Sequence, residues 1–111
     1  MNLFRIMIVK TPVPPYYAVI FTTLRTEIEE GYLEAANRME ELAKKQTGFL
    51  GLESARSNIG ITVSYWKNLE AITKWKNNIE HSIARDMGRK LWYKKYHLRI
   101  CKVERDYDFE K

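Results

Sequence analysis

The residues of this 111-residue chain that could do chemistry are two histidines, one cysteine, several arginines and a large set of aromatic rings. His81 is the candidate base, because imidazole gains and loses a proton near neutral pH. Arg25, Arg56 and Arg99 are candidates for holding an anion, since guanidinium keeps its charge and directs it. Trp66, Trp75, Phe21 and Tyr65 offer flat rings against which a planar ligand could stack. Glu53 is a weaker base candidate that would need burial to raise its pKa. Each has a plainer reading beside it. The tryptophans could be core packing, Tyr65 a core ring with its hydroxyl satisfied, the arginines surface charges, and His81 a surface side chain with a local hydrogen bond. Cys101 sits in the apolar run LRICKV and reads as a small core hydrophobe. The widely spaced histidines and lone cysteine make no structural zinc site. A glycine-rich phosphate loop or nicotinamide fingerprint is missing.

The stretch that must position these groups is ITVSYWKNLEAITKW, residues 61–75. Its first half has the β-branched and aromatic character of a strand. Asn68 then offers a side-chain oxygen to the free N–H groups of a helix, along which Leu69, Ile72 and Trp75 form a stripe. A strand therefore turns directly into a helix, with one indole on each side of the turn. Asn77-Asn78 is poor helix interior and predicts a break. Beyond it Ile79, Ile83 and Met87 continue an apolar stripe to Gly88, and the break frees His81 to face either way.

The remaining elements follow in order. Met1 to Lys10 reads as a short strand or arm. Residues 11–15, TPVPP, form a stiff extended linker that suits an arm packing on a neighbour. YYAVIFTTLRT, residues 16–26, is the strongest strand, with Tyr17, Val19, Phe21, Thr23 and Arg25 on one face. A helix is predicted from about Glu29 to Lys45, ended by Gly48. Phe49–Ser57 and Ile59–Trp66 read as a hairpin turned by Asn58. In the first of these strands Leu50, Leu52, Ser54 and Arg56 would share a face. The last strand runs from about Tyr93 to Val103, with Trp92 and Tyr93 locking helix to strand. The tail RDYDFEK would fray or cross to a partner. The domains are thus an arm and linker over 1–15 and one folded unit over 16–111.

The order β-α-β-β-α-β is a ferredoxin-like α+β pattern: an antiparallel sheet with its helices on one face. The other face would be left bare, so a homodimer is expected to cover it. Composition fits a globular domain, with 45% hydrophobic and 30% charged residues. The net charge is +5, densest over Arg85, Arg89, Lys90, Lys94, Lys95 and Arg99. Without a nucleic-acid motif this reads as a solvated helix end and strand edge, so no nucleic-acid partner is expected. No run approaches the ~20 apolar residues of a membrane span, and Leu3–Val9 makes a poor signal peptide. No membrane partner is expected, and the location is expected to be cytoplasmic.

YYAVIF, GYLEAANRMEELAKKQTGFLGLESAR, GITVSYWKNLEAITKW and EHSIARDMGRKLWY, taken together and in this order, resemble the antibiotic biosynthesis monooxygenase domain family. The resemblance covers about Tyr16 to Val103 and is nearest to a bacterial subgroup of uncharacterised proteins. It implies a dimeric α+β barrel with a pocket between helices and sheet. It also implies a cofactor-independent monooxygenase acting on a small or polycyclic aromatic substrate. His81 matches a histidine that many members carry at the start of this helix, and Trp75 matches the helix tryptophan of heme-degrading relatives. Their heme-ligating histidine falls nearer Arg85, and their first-strand asparagine falls near Phe21 or Thr22, so that site does not carry over. The catalytic candidates are His81, Arg56 and Tyr65; the substrate-binding candidates are Trp66, Trp75, Phe21 and Arg25. No metal and no cofactor are expected, with heme binding as one alternative and a non-catalytic ligand-binding or structural dimer as the other.

Overall fold

Tyr16–Arg25 forms β1, and its β-branched and aromatic residues on both faces suit a strand flanked on both sides. In the computed structural model, which describes residues 8–111, β1 pairs antiparallel with β3 (Gly60–Trp66) and with β4 (Tyr93–Val103). β2 (Phe49–Arg56) pairs with β3 and completes a four-stranded sheet in the order β2-β3-β1-β4. Helix α1 (Tyr32–Lys44) joins β1 to β2, α2 (Leu69–Lys76) and α3 (Ile79–Met87) follow β3 in succession, and a π-helical turn, Gly88–Trp92, leads into β4. This is the ferredoxin-like α+β fold, with the second helical region divided at the asparagines.

Both asparagines act as caps. Asn68 Oδ1 accepts from the Ala71 N–H at 2.8 Å, and Asn78 Oδ1 accepts from the His81 N–H at 3.1 Å. The second cap is why the chain starts a new helix after Asn77 instead of bending one. α1 begins three residues later than Glu29, because Gly31 takes a left-handed conformation (φ 78°) at its N-terminus. The glutamates at 27, 29 and 30 lie in the preceding loop. The hairpin joins Arg56 directly to Gly60, leaving Ser57, Asn58 and Ile59 as the turn.

Strand register decides what meets the helices. Tyr17 pairs with Trp66 and Val19 with Ser64, and the core gathers Val19, Trp66, Ala71 and Ile72 with Tyr17, Phe49 and Trp75 packed around them. The face of β1 carrying Tyr17, Val19, Phe21, Thr23 and Arg25 is therefore the helix side. One sequence expectation is corrected here. Phe49 pairs with Trp66 but Gly51 with Tyr65, so Leu50 is bulged and Phe49 joins the face of Leu52. Gly51 lies at φ 150°, and a side chain there would collide with Val9.

The opposite face carries Ala18, Ile20, Val63 and Tyr65. The arm packs over one end of this face in its own chain, with Val9 against Gly51 and the Val9 N–H donating to Glu53 Oε2 at 3.1 Å. The Tyr16 hydroxyl donates to Asp106 at 2.5 Å, fastening the tail beside it. Residues 1–7 of the expected arm lie outside the described residues. Leu24 and Ile61 stay exposed on the same face. No helix among the described residues is long and apolar enough to cross a membrane.

Candidate functional site

His81 is carried at the third position of α3, one turn after the break. Its ring stacks on Trp75, with centroids 4.1 Å apart and planes 12° from parallel. Trp75 in turn stacks on Trp66 at 6.1 Å and 29°. Trp66 is fully buried, donates Nε1–H to Ser64 Oγ at 2.9 Å, and meets Phe49 edge-on. The buried indole thus fixes the half-buried one, and the half-buried one fixes the imidazole.

The hydrogen bonding of His81 assigns its chemistry. Nδ1 lies 2.8 Å from the Trp75 carbonyl oxygen. A carbonyl only accepts, so Nδ1 carries the proton and the neutral ring keeps its lone pair on Nε2. Burial pushes the imidazole pKa below its ordinary value, the Trp75 carbonyl partly offsets this, and the positive charge of Arg85 lowers it further. The ring is consequently neutral at pH 7 and able to take a proton.

α3 is turned against its hydrophobic pattern. Ile79 is 78% exposed and Ile83 59% exposed, while His81, Ser82, Ala84 and Arg85 lie on the half-buried side. The apolar stripe exists as the sequence suggests, but it faces outward. The asparagine break allows this, since α3 takes its own rotation from the Asn78 cap and from the ion pair of Arg38 on α1 with Glu80 (2.9 Å).

The other candidates separate into two groups away from His81. Arg25 lies at the far end of β1, with Nε donating to the Trp92 carbonyl (3.1 Å), Nη2 to the Ile28 carbonyl (2.9 Å), and the guanidinium 3.3 Å from the Tyr32 ring centroid. Arg56 donates to the buried Thr23 hydroxyl. Phe21 packs against Tyr93 and Tyr96, with ring centroids 5.6 and 5.4 Å away. Burial, then the neighbouring Tyr32, raises the Tyr93 phenol well above its ordinary pKa. A groove of about 440 Å³ opens here, lined by Leu24, Arg25, Glu29, Arg56, Ser57, Asn58 and Lys94. Trp92 locks this end as expected, with its Nε1–H donating to the Glu30 carbonyl at 3.0 Å.

Tyr65 stands on the other face of the sheet, opposite Ala18, where its hydroxyl donates to Glu53 Oε1 at 2.6 Å. Burial first, then the Glu53 carboxylate, hold its phenol far above the ordinary range. Glu53 thereby serves the arm and Tyr65, not a pocket. Arg99 pairs with Ile20 on that same far face. The structure therefore brings together His81, Trp75 and Trp66, and leaves Arg56, Arg25 and Phe21 at one end of the helix side and Tyr65 across the sheet. Arg85, which the sequence places in its basic patch and near the relatives' heme-ligand position without a role of its own, lies on the half-buried side of α3 with His81. The signal was present in its spacing: four residues after His81, it shares that residue's helical face.

Residues 15–86 match the profile of the antibiotic biosynthesis monooxygenase family. The chain is 50% identical over 103 residues to the uncharacterised protein YqjZ of Bacillus subtilis, covering 91% of this chain and 90% of that one. Its fold matches that of SnoaB, a cofactor-independent oxygenase from Streptomyces nogalater, with a TM-score of 0.72 at 10% identity over 84% of this chain and 97% of that one. It also matches protein SO0527 from Shewanella oneidensis, with a TM-score of 0.71 at 10% identity over 83% and 95% of the two chains.

Proposed function

This chain belongs to the antibiotic biosynthesis monooxygenase family, and from that premise we propose that it is a cofactor-independent monooxygenase of a planar aromatic substrate. The observation that carries the reading is the tautomer of His81: Nδ1 is committed to the Trp75 carbonyl, so Nε2 is a free base held rigidly beside stacked rings. In the reaction a phenol of the anthrone type gives its O–H proton to Nε2. The resulting anion is electron-rich at a ring carbon and reduces dioxygen, forming a C–O bond there. Protonation gives a hydroperoxide, and loss of water leaves a carbonyl. One oxygen atom stays, the other leaves as water, and the substrate supplies all four electrons. Trp75 and Trp66 set the position of the base, while Arg25 and Arg56 line the groove at the far end of β1.

Oxygen uptake with anthrone, without added cofactor and with a chelator present, tests this. We expect one O2 consumed per anthraquinone formed, and a loss of about 100-fold or more in His81→Ala, the range typical of a positioned general base. Turnover no faster than spontaneous oxidation, or an unaffected variant, would sink it. The free Nε2 also leaves heme binding as a second reading; a saturable Soret shift that disappears in His81→Ala would favour it. Silence in both assays would favour the non-catalytic dimer.

The working form is a homodimer. Support comes from β4, an 11-residue edge strand whose Leu98 and Ile100 remain about half exposed on the helix side, and from Leu24 and Ile61 exposed on the other face. Light scattering at micromolar concentration tests the assignment, and a monomer would overturn it. The single thiol, Cys101, suits a reducing compartment, and the location proposed is the cytoplasm.

A further inference from the structure

Arg85 lies one helical turn beyond His81 on the half-buried side of α3. Its Nε is buried and has no hydrogen-bond partner. Its Nη2 reaches only the Ser82 hydroxyl, at 3.4 Å, and no carboxylate among the described residues forms an ion pair with it. The other described arginines near an aromatic group are engaged. Arg25 is held by two carbonyls and a ring, Arg56 by Thr23, and Arg89 by Tyr96 and Asp86.

A guanidinium with a buried, unused N–H is costly to keep, because the desolvated donor gains nothing in return. A ligand that brings an oxyanion to it recovers that loss. His81 Nε2, on the same helix face, is a lone pair without a proton. An acceptor and a cationic donor side by side recognise an acidic O–H: the proton goes to one and the oxygen to the other.

We infer that Arg85 is the residue that binds the oxyanion left on the substrate proposed above once His81 has taken its proton. The inference rests on reading His81 as the base, and it adds a residue to that reading. An aromatic hydrocarbon without an ionisable hydroxyl would leave Arg85 unpaired and bind weakly. Arg85 acts by touching the substrate anion; burial holds the neighbouring imidazole pKa down, and the Arg85 charge adds to that depression.

The test compares two flat probes of nearly equal size, 2,4-dinitrophenolate, which is ionised at neutral pH, and 2,4-dinitrotoluene, which is neutral. Affinities are measured by calorimetry on the wild type, Arg85→Met and Arg85→Lys, each checked for folding by circular dichroism. The wild type should prefer the anion by roughly tenfold to a hundredfold, the scale of a charge-assisted hydrogen bond. Arg85→Met should lose that preference while still binding the neutral probe, and Arg85→Lys should keep part of it because the charge remains. If the wild type shows no preference, if Arg85→Met keeps it, or if the neutral probe is also lost in a folded Arg85→Met, the inference is overturned. Because the readout is binding, it fails or stands separately from oxygen uptake. A lost preference with no turnover keeps the anion site and removes the oxygenase reading, and turnover with an unchanged preference does the reverse.

Discussion

Two helices follow each other across one asparagine break, and they obey opposite rules. α2 buries Ala71 and Ile72 against the sheet and leaves its charged residues to water, as an amphipathic helix should. α3, which starts after the two asparagines, exposes Ile79 and Ile83 and turns His81, Ser82 and Arg85 inward. α2 is explained by stability alone. α3 is not, because outward apolar groups bring nothing to a monomer and a buried unpartnered guanidinium Nε subtracts from it. A helix that gives up apolar burial to turn an imidazole and a guanidinium inward, the imidazole stacked on Trp75, fits the ligand site proposed above.

The largest test of this contrast is at the seat of α2. Trp66→Ala removes the fully buried ring on which Trp75 and Phe49 rest, and should cost about 3–5 kcal/mol in urea unfolding. His81 loses its footing with it, so heme-free oxygen uptake should fall as well. A loss below about 1 kcal/mol would mean that the stack is not what fixes the site.

Next comes the apolar stripe itself. Ile72→Ala should cost about 2–5 kcal/mol, whereas Ile83→Ser, with the same element type and a similar side chain, should stay within about 0.5 kcal/mol at high dilution. If Ile83→Ser instead destabilises the protein in a concentration-dependent way, the outward stripe is covered by a second copy. The contrast then becomes one between an intrachain and an interchain core.

The strands and their chain order, the Asn68 cap and the break at Asn77-Asn78 were legible because each rests on a local signal. Asn68 caps as its side chain suggests, the helix breaks at Asn77-Asn78, and Tyr93–Val103 has the predicted limits. What was not legible depends on rotation and on single-residue insertions. The bulge at Leu50 moves Phe49 to the other face, and no pattern of alternation announces one extra residue. The outward turn of Ile79 and Ile83 contradicts the most dependable sequence rule, and Arg38–Glu80 and the Asn78 cap, which set it, are contacts that only the folded chain makes. The candidate site was half visible for the same reason. Trp66 and Trp75 on either side of one turn followed from types and spacing, whereas His81 was free to face either way. Of the two readings of Tyr65, the ring with a satisfied hydroxyl is the one its geometry matches. Its strand pairing places it opposite Ala18, with Glu53 and the arm.

The two caps allow a finer comparison. Asn68→Ala and Asn78→Ala each remove one side-chain acceptor from a helix N-terminus and should each cost about 1 kcal/mol. Only the second frees the N–H of His81 itself, so only Asn78→Ala should depress oxygen uptake out of proportion to its effect on stability. Equal activity losses would show that the α2–α3 distinction does not extend to function.

The smallest effect is also the most direct reading of how α3 treats its histidine. Burial holds the folded pKa of His81 below its ordinary value near 6.5, with the Arg85 charge adding to the depression. Between the folded and unfolded pKa values the unfolded chain binds a proton that the folded chain refuses. This contribution to stability is therefore complete above the unfolded value. It declines as pH falls through it and levels off below the folded value. Unfolding free energy of the wild type minus that of His81→Asn, followed between about pH 5 and 8, should be flat at the alkaline end and fall toward acid. In Arg85→Met the like charge is gone, the folded pKa rises toward the ordinary one, and the same decline should shrink. A flat difference curve would mean that the imidazole is as free to protonate as in the unfolded chain, and α3 would then be an ordinary helix turned the wrong way.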